Sequence, residues 1–487
     1  MNKAIRNIEP QTVWNHFADL NAVPRPSKKE GRVIAFMKEF GEKRGLETIV
    51  DEVGNVLIKK PATRGMEDRK TVVLQSHLDM VHQKNNDTQF DFETQGIDMY
   101  VDGDWVRANG TTLGADNGLG VATIMAILDS SDIPHPKIEA LFTIDEETGM
   151  TGAMGLQGDL LSGEILLNLD TEEDDEIGVG CAGGIDITAT RKYSTMPTPE
   201  PSESIEITIK GLLGGHSGMD IHKGLGNANK LMNRLLFAVN EFVHLTSLQG
   251  GSLRNAIPRE SEAKVAVPSS KKTDFYTIFE QEKNAILEEF ASIEPNISIT
   301  VKGLSEHWPM VMDKEDQTTL LMALYGAPNG VYRMSPAIED LVETSNNIAN
   351  VTVANGNIEV LCLTRSSVAS SKRDLSKTLQ SVFELAGFTV TFSGEYPGWA
   401  PNMESPILKV LDSIYTEMNN EKAHVAACHA GLECGILGQY YPEMDMISFG
   451  PTIKGAHSPV ERASISSTQK FWKFLKAILE NIPKKND

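Results

Sequence analysis

The stretch Thr71-Val-Val-Leu-Gln-Ser-His-Leu-Asp79 places a strand-like run, apolar at Val72-Val-Leu74, before a histidine and an aspartate. A run of this kind reads as a buried strand, as in parallel sheets covered by helices. The same pattern recurs along the chain. Residues 138–144 lead into Asp145, Glu146 and Glu147, residues 165–169 lead into Asp170, and residues 444–449 precede a loop carrying His457. In open α/β sheets the carboxyl ends of the strands line one crevice, so these groups are expected to converge there. Asp116, in a Gly-rich turn at 114–120 before an apolar helix at 121–128, belongs to the same rim.

Outward from this core, Val33, Ile34, Met37 and Phe40 mark one face of a helix, and residues 55–58 read as a further strand. The character changes after Gly183-Gly184. A polar hairpin with Pro197, Pro199 and Pro201 precedes a strand at 204–209. Two segments then echo each other, Ile207-Thr-Ile-Lys-Gly-Leu212 and Ile299-Thr-Val-Lys-Gly-Leu304, bordering helical stretches at 227–242 and 274–290. The echo suggests a middle region of two similar α+β halves. Near Pro397-Gly398 the chain leaves that region, with a strand at 444–449 and a helix at 468–482 to follow. The expected fold is α/β. A mostly parallel-sheet catalytic domain (1–186 and 398–487) is interrupted by an inserted α+β lid (187–397).

A chain of 487 residues is too long for one ordinary core, so more than one domain is expected. Its formal charge of −22 repels phosphate backbones and anionic lipid, which argues against nucleic-acid and membrane partners. The four cysteines form no CxxC pair, and residues 1–20 lack an apolar signal core. The expected location is the cytoplasm.

Two imidazoles and several carboxylates at one strand edge are a ligand mix suited to zinc, manganese or cobalt. Two such ions need a bridging carboxylate, and three ligating carboxylates with one hydroxide would neutralise them. The adjacent Glu146 and Glu147 can divide the remaining work, one holding metal and the other moving a proton. Asp79 lies two residues beyond His77, on the same face of an extended segment, where it can orient that imidazole.

His77-Leu-Asp79, Gly114-Ala-Asp-Asn-Gly118, Asp145-Glu-Glu-Thr-Gly149, Leu169-Asp170 and Gly455-Ala-His-Ser-Pro459 resemble the metallo-exopeptidase superfamily of aminoacylases and dipeptidases. The likeness runs from about residue 10 to 480. Gly214-Gly-His-Ser-Gly-Met-Asp-Ile-His222 and His429-Ala-Gly-Leu-Glu-Cys-Gly435 look most like its aminoacyl-histidine dipeptidase (peptidase D) branch. The resemblance implies that Asp116 bridges two ions, with His77 and Asp170 on one and Glu147 and His457 on the other. It makes Glu146 the base that takes a proton from the attacking water, and Asp79 the residue behind the ligands. A cis peptide after Asp116 is also implied. From the lid, His216 is expected to hold the oxyanion, Arg365 the substrate carboxylate, and Asn255 a further substrate contact. The implied reaction is hydrolysis of dipeptides with a free N-terminus, Xaa-His and β-alanyl-histidine included, with two divalent ions, zinc first. Smaller relatives dimerise through a single lid unit, so a homodimer is the preferred expectation, with a doubled lid replacing the partner inside one chain as the alternative. A related amidohydrolase, such as an aminoacylase or tripeptidase, could use the same ligands, and a non-catalytic binding protein is a more distant alternative.

Three other patterns are set aside. Gly178-Val-Gly-Cys-Ala-Gly183 fits GxGxxG but precedes a β-rich run rather than a helix, so a hinge is expected instead. His424, Cys428, His429 and Cys434 match no common zinc spacing. The acidic run at 172–176 reads as a solvated loop.

Overall fold

The computed structural model describes residues 2–485 apart from 86, 87, 157 and 337. They form two compact units: Met1–Cys181 with Trp399–Ala427 and Leu432–Asp487, and Ala182–Gly398 with Cys428–Gly431. The segment Cys428–Gly431 therefore leaves the C-terminal part to which the sequence reading gives it. Hydrogen bonds explain this: the Ala182 N–H donates to Cys428 O at 2.9 Å and to Ala430 O at 3.0 Å, and His429 Nε2 lies 2.8 Å from Ser345 Oγ.

The first unit is built on an eight-stranded sheet. Its order is Glu47–Val50, Val56–Lys60, Ile138–Thr143, Val72–His77, Ile165–Asn168, Asp445–Ser448, Glu176–Cys181 and His424–Cys428. The four middle strands, from Ile138–Thr143 to Asp445–Ser448, pair parallel. Outside them, Val56–Lys60 and Glu176–Cys181 pair antiparallel. Every residue of Val72–His77 and Ile138–Thr143 is buried, Gln75, Ser76 and Glu139 included, as in strands covered on both faces. Because the four middle strands run the same way, their carboxyl ends share one edge of the sheet.

The Gly-rich turn and the apolar helix expected after it are one element, Ala115–Asp129, with non-helical backbone at Asp116 and Asn117. Its side chains are buried almost all round, so it shows no amphipathic stripe. The last helix, Ile465–Glu480, starts where Ser464 Oγ accepts the Ser467 N–H at 3.2 Å. Among the described residues no helix is long and apolar enough to cross a membrane.

The second unit is built on an antiparallel sheet whose main path is two βαββαβ halves, with Gly330–Met334 added beside Val342–Ala354. One half comprises Gly183–Lys192, helix Lys314–Gly326, Val342–Ala354, Asn357–Ser366, helix Ala369–Leu385 and Thr389–Tyr396. The other is inserted after its first strand: Ser202–Lys210, helix Ala228–Ala238, His244–Gly250, Ser261–Pro268, helix Lys272–Phe290 and Ser298–Leu304. In both halves the strands lie in the order fourth, first, third, second, and the two second strands join through Leu248 and Val353. The doubling is real, but the six-residue echo does not mark it. Both echoed segments belong to the inserted half, where they pair antiparallel with Ile207 opposite Val301. The alternation that buries Ile205, Ile207 and Ile209 is ordinary strand chemistry. Helices of both halves share one core, with Leu231, Leu235 and Phe279 from one and Leu320, Leu375 and Phe383 from the other.

Candidate metal centre

Three of the four middle strands of the first unit deliver chemistry at their carboxyl ends. His77 is the last residue of Val72–His77, Glu146 and Glu147 follow Ile138–Thr143, and Asp170 follows Ile165–Asn168. His457 comes from the loop after Ile453–Lys454. Among the described residues, three groups of side chains bring their polar atoms close enough to share a cation: His77, Asp116 and Asp170; Asp116, Glu147 and His457; and the all-carboxylate group Glu30, Asp79 and Asp145 behind them.

Asp116 belongs to the first two groups, and its two oxygens face different imidazoles. Oδ1 lies 3.2 Å from His77 Nε2, and Oδ2 lies 3.1 Å from His457 Nε2. Asp170 Oδ1 is 3.5 Å from His77 Nε2, and Glu147 Oε2 is 2.8 Å from His457 Nε2. The peptide between Asp116 and Asn117 is cis, as the resemblance implies. Asn117 Nδ2 donates to Leu169 O at 2.6 Å and to an Asp170 oxygen.

Asp79 is fully buried and anchors the neighbouring acids through their backbone. It accepts the Glu146 N–H at 3.0 Å and the Glu147 N–H at 3.3 Å, and its Oδ1 lies 3.4 Å from His77 Nδ1. The turn that presents both glutamates starts at Asp145, which takes a left-handed φ of 55°. That side chain accepts hydrogen bonds from the hydroxyls of Thr148 and Thr151, the latter at 2.7 Å, which suits an aspartate in a conformation few L-residues adopt. His457 is also left-handed, at 61°.

The electrostatics favour added positive charge. Burial lowers the basicity of His77, but Asp170 and Asp116 outweigh it and hold the imidazole well above its usual range. Hydrogen bonds to Asp116 and Glu147 push His457 up to about 11. Burial, together with neighbouring carboxylates, raises Glu146 and Glu147. Several buried carboxylates drawing protons onto two imidazoles form a donor set short of cations, and nitrogen and oxygen donors of this kind suit a pair of divalent metal ions.

Two further acids, to which the sequence reading gives no role, lie near the centre, one buried and one half-buried. Glu433 Oε2 accepts from Gln75 Nε2 and from Thr143 Oγ1, both at 2.6 Å, and burial pushes its carboxyl up to about 8. In the acidic run, Glu173 pairs with Lys454 and Asp174 with Lys470, whereas Glu172 is half-buried and raised to about 8 by burial and by Asp116.

The remaining predicted residues lie in the second unit. His216 ends the short strand Gly215–His216, which pairs with Ala256–Ile257, and the Asn255 carbonyl accepts the Ser217 N–H at 2.8 Å. His216 Nδ1 accepts N–H groups from Gly218 at 3.2 Å and Met219 at 3.1 Å, so in the neutral ring the proton sits on Nε2. Arg365, on Asn357–Ser366, is 4% exposed and donates from Nη1 to the Tyr396 hydroxyl at 2.8 Å. Burial and then the Arg365 charge drive His429 down to about 3, with His216 and His222 adding to the effect.

The comparisons with known proteins agree with this geometry. A protein of Escherichia coli (strain K12) named cytosol non-specific dipeptidase is 43% identical over 483 residues, 99% of each chain. The crystal structure of aminoacylhistidine dipeptidase from Vibrio alginolyticus superposes with a TM-score of 0.90 at 45% identity, covering 99% of this chain and 98% of that one. Aminopeptidase PepT from Bacillus cereus shares the fold alone, with a TM-score of 0.57 at 14% identity over 98% of this chain and 99% of that one. The family model described as peptidase family M20/M25/M40 matches residues 73–481, and with it the paired ligand groups around Asp116 take their place: the chain belongs to peptidase family M20/M25/M40.

Proposed function

We propose that the chain hydrolyses dipeptides with a free N-terminus, Xaa-His dipeptides such as β-alanyl-histidine among them, with two divalent ions, zinc first and manganese or cobalt as alternatives. The observation that carries this reading is Asp116, whose two oxygens each face a different imidazole, with Glu146 Oε2 3.9 Å from His77 Nε2 alongside. The substrate class is supported by the two relatives at 43% and 45% identity, both named dipeptidases.

His77 and Asp170 would hold one ion, Glu147 and His457 the other, and Asp116 both. Such ions supply a polarised carbonyl and an acidified water. Glu146 takes the proton from that water and returns it to the leaving amine. Asp79 keeps Glu146 and Glu147 in place through their backbone N–H groups. In this reading residues 187–397 act as the lid. From it His216 offers its Nε2–H to the oxyanion, Arg365 pairs with the substrate carboxylate, and Asn255 adds a polar contact. The enzyme would work in the cytoplasm as a homodimer, and sedimentation at micromolar concentration giving the mass of one chain would count against that assembly.

The reading is tested with chelator-stripped protein and β-alanyl-histidine, before and after adding zinc, manganese or cobalt. Metal-restored cleavage, with N-acetylated dipeptides refused, is the expected result. Cleavage undiminished by stripping would defeat it, and turnover of N-acetylated substrates alone would move the assignment to an aminoacylase. Arg365→Ala is expected to raise KM by about 10–100-fold, the worth of a charged hydrogen-bond pair, with metal content unchanged. An unaltered KM would remove Arg365 from substrate binding.

A further inference from the structure

We propose that Arg25 and Glu461 are positioning residues that together fix the spacing of three ligand-bearing segments, and so set how tightly the metal centre holds its ions. The inference rests on the two-metal reading above.

Arg25 is 1% exposed, although its guanidinium is cationic. Nη1 donates to Leu78 O and Asp79 O, each at 3.1 Å, while Nη2 donates to Gly114 O at 2.6 Å and to Asn21 Oδ1 at 2.9 Å. One planar fork thus ties the segment after His77 to the segment before Asp116. The glycines of Gly114-Ala-Asp-Asn-Gly118 make room for it. A Cβ at Gly114 would stand 2.6 Å from Nη2, and one at Gly118 2.5 Å. Asn21 reinforces the joint by donating from Nδ2 to Leu113 O at 2.9 Å.

Glu461 is 3% exposed and makes the complementary tie. Oε2 accepts the N–H groups of Leu113 at 2.7 Å and Gly114 at 3.0 Å, and Oε1 accepts those of Ala115 at 2.8 Å and Asp116 at 3.4 Å. These are the free donors at the start of Ala115–Asp129, where a carboxylate is well matched. Glu461 lies on the loop that carries His457, so it fastens that loop to the backbone of Asp116. Between them the two side chains bind the segments of His77, Asp116 and His457 to one another. Metal–ligand distances tolerate errors of only about 0.2 Å, so small drifts among these segments weaken both ions at once.

The test compares metal-stripped parent, Glu461→Gln and Glu461→Asp, measuring zinc affinity by competition with a chromophoric chelator and the unfolding midpoint of each stripped protein. Glutamine presents an amide NH2 group to backbone donors, whereas aspartate keeps the carboxylate on a shorter stem. We expect Glu461→Gln to bind zinc at least about tenfold more weakly, with Glu461→Asp recovering part of that loss while the unfolding midpoints do not track the affinities. If Glu461→Gln does not fold, Arg25→Lys, which keeps the charge but loses the fork, is expected to show the same loss. Parent-like affinity in the folded variants overturns the proposal, as does a loss that follows the unfolding midpoint across the series. A parent that binds no divalent ion overturns the two-metal reading itself, an outcome distinct from failure of the frame alone.

Discussion

Glu146→Gln is expected to lower turnover by about 10^2–10^4-fold while both ions remain bound. The side chain has the right size and a fixed base. Its backbone N–H is held by Asp79 at 3.0 Å, and its carboxyl lies 3.9 Å from His77 Nε2, outside hydrogen-bonding range. Glutamine preserves that volume and that anchor but cannot accept and return a proton. Parallel measurement of kcat and of metal content separates the two roles available to adjacent acids. Unchanged metal with lost turnover assigns proton transfer to Glu146. Loss of an ion would instead make it a ligand and pass the proton to Glu147.

Asp116→Ala should act on binding rather than on chemistry. Because its oxygens lie 3.2 Å and 3.1 Å from two different imidazoles, its removal takes a ligand from both groups in a single change. Residues that merely support a ligand cost about 10–100-fold in affinity when mutated, so a shared ligand should cost more than about 100-fold for each ion. The expected result after dialysis is protein with neither ion and no hydrolysis. Retention of one ion at parental affinity would show that the two groups do not share Asp116.

Much of the centre was legible because its signal is local. An apolar strand followed by an acid or a histidine states both a buried strand and what stands at its end, and three of the five motifs are of that kind, while all five in order carry the resemblance that proposes the ligands. The limits of the sheet were harder to read. Val56–Lys60 looks like its neighbours in sequence yet pairs antiparallel, since strand direction depends on connections rather than composition. The halves of the second unit were anticipated from an echo that proved to join adjacent strands of one half. Arg25 and Glu461 left no mark in the reading, because their partners are backbone carbonyl and N–H groups that every residue carries. The two glycines that admit the guanidinium were visible, but what they admit was not.

The strand Asp445–Ser448 takes its place between Ile165–Asn168 and Glu176–Cys181, far earlier parts of the chain. During synthesis the inserted half can close once Leu304 is made, and the half around it once Tyr396 is made. The first sheet must wait longer. Until the C-terminal segment arrives, two neighbouring strands stand with bare edges, the kind of surface that recruits other chains. The last strand of this sheet to be translated is thus one of its four middle staves, and a nascent chain cannot assemble the candidate metal centre before His457 has been made.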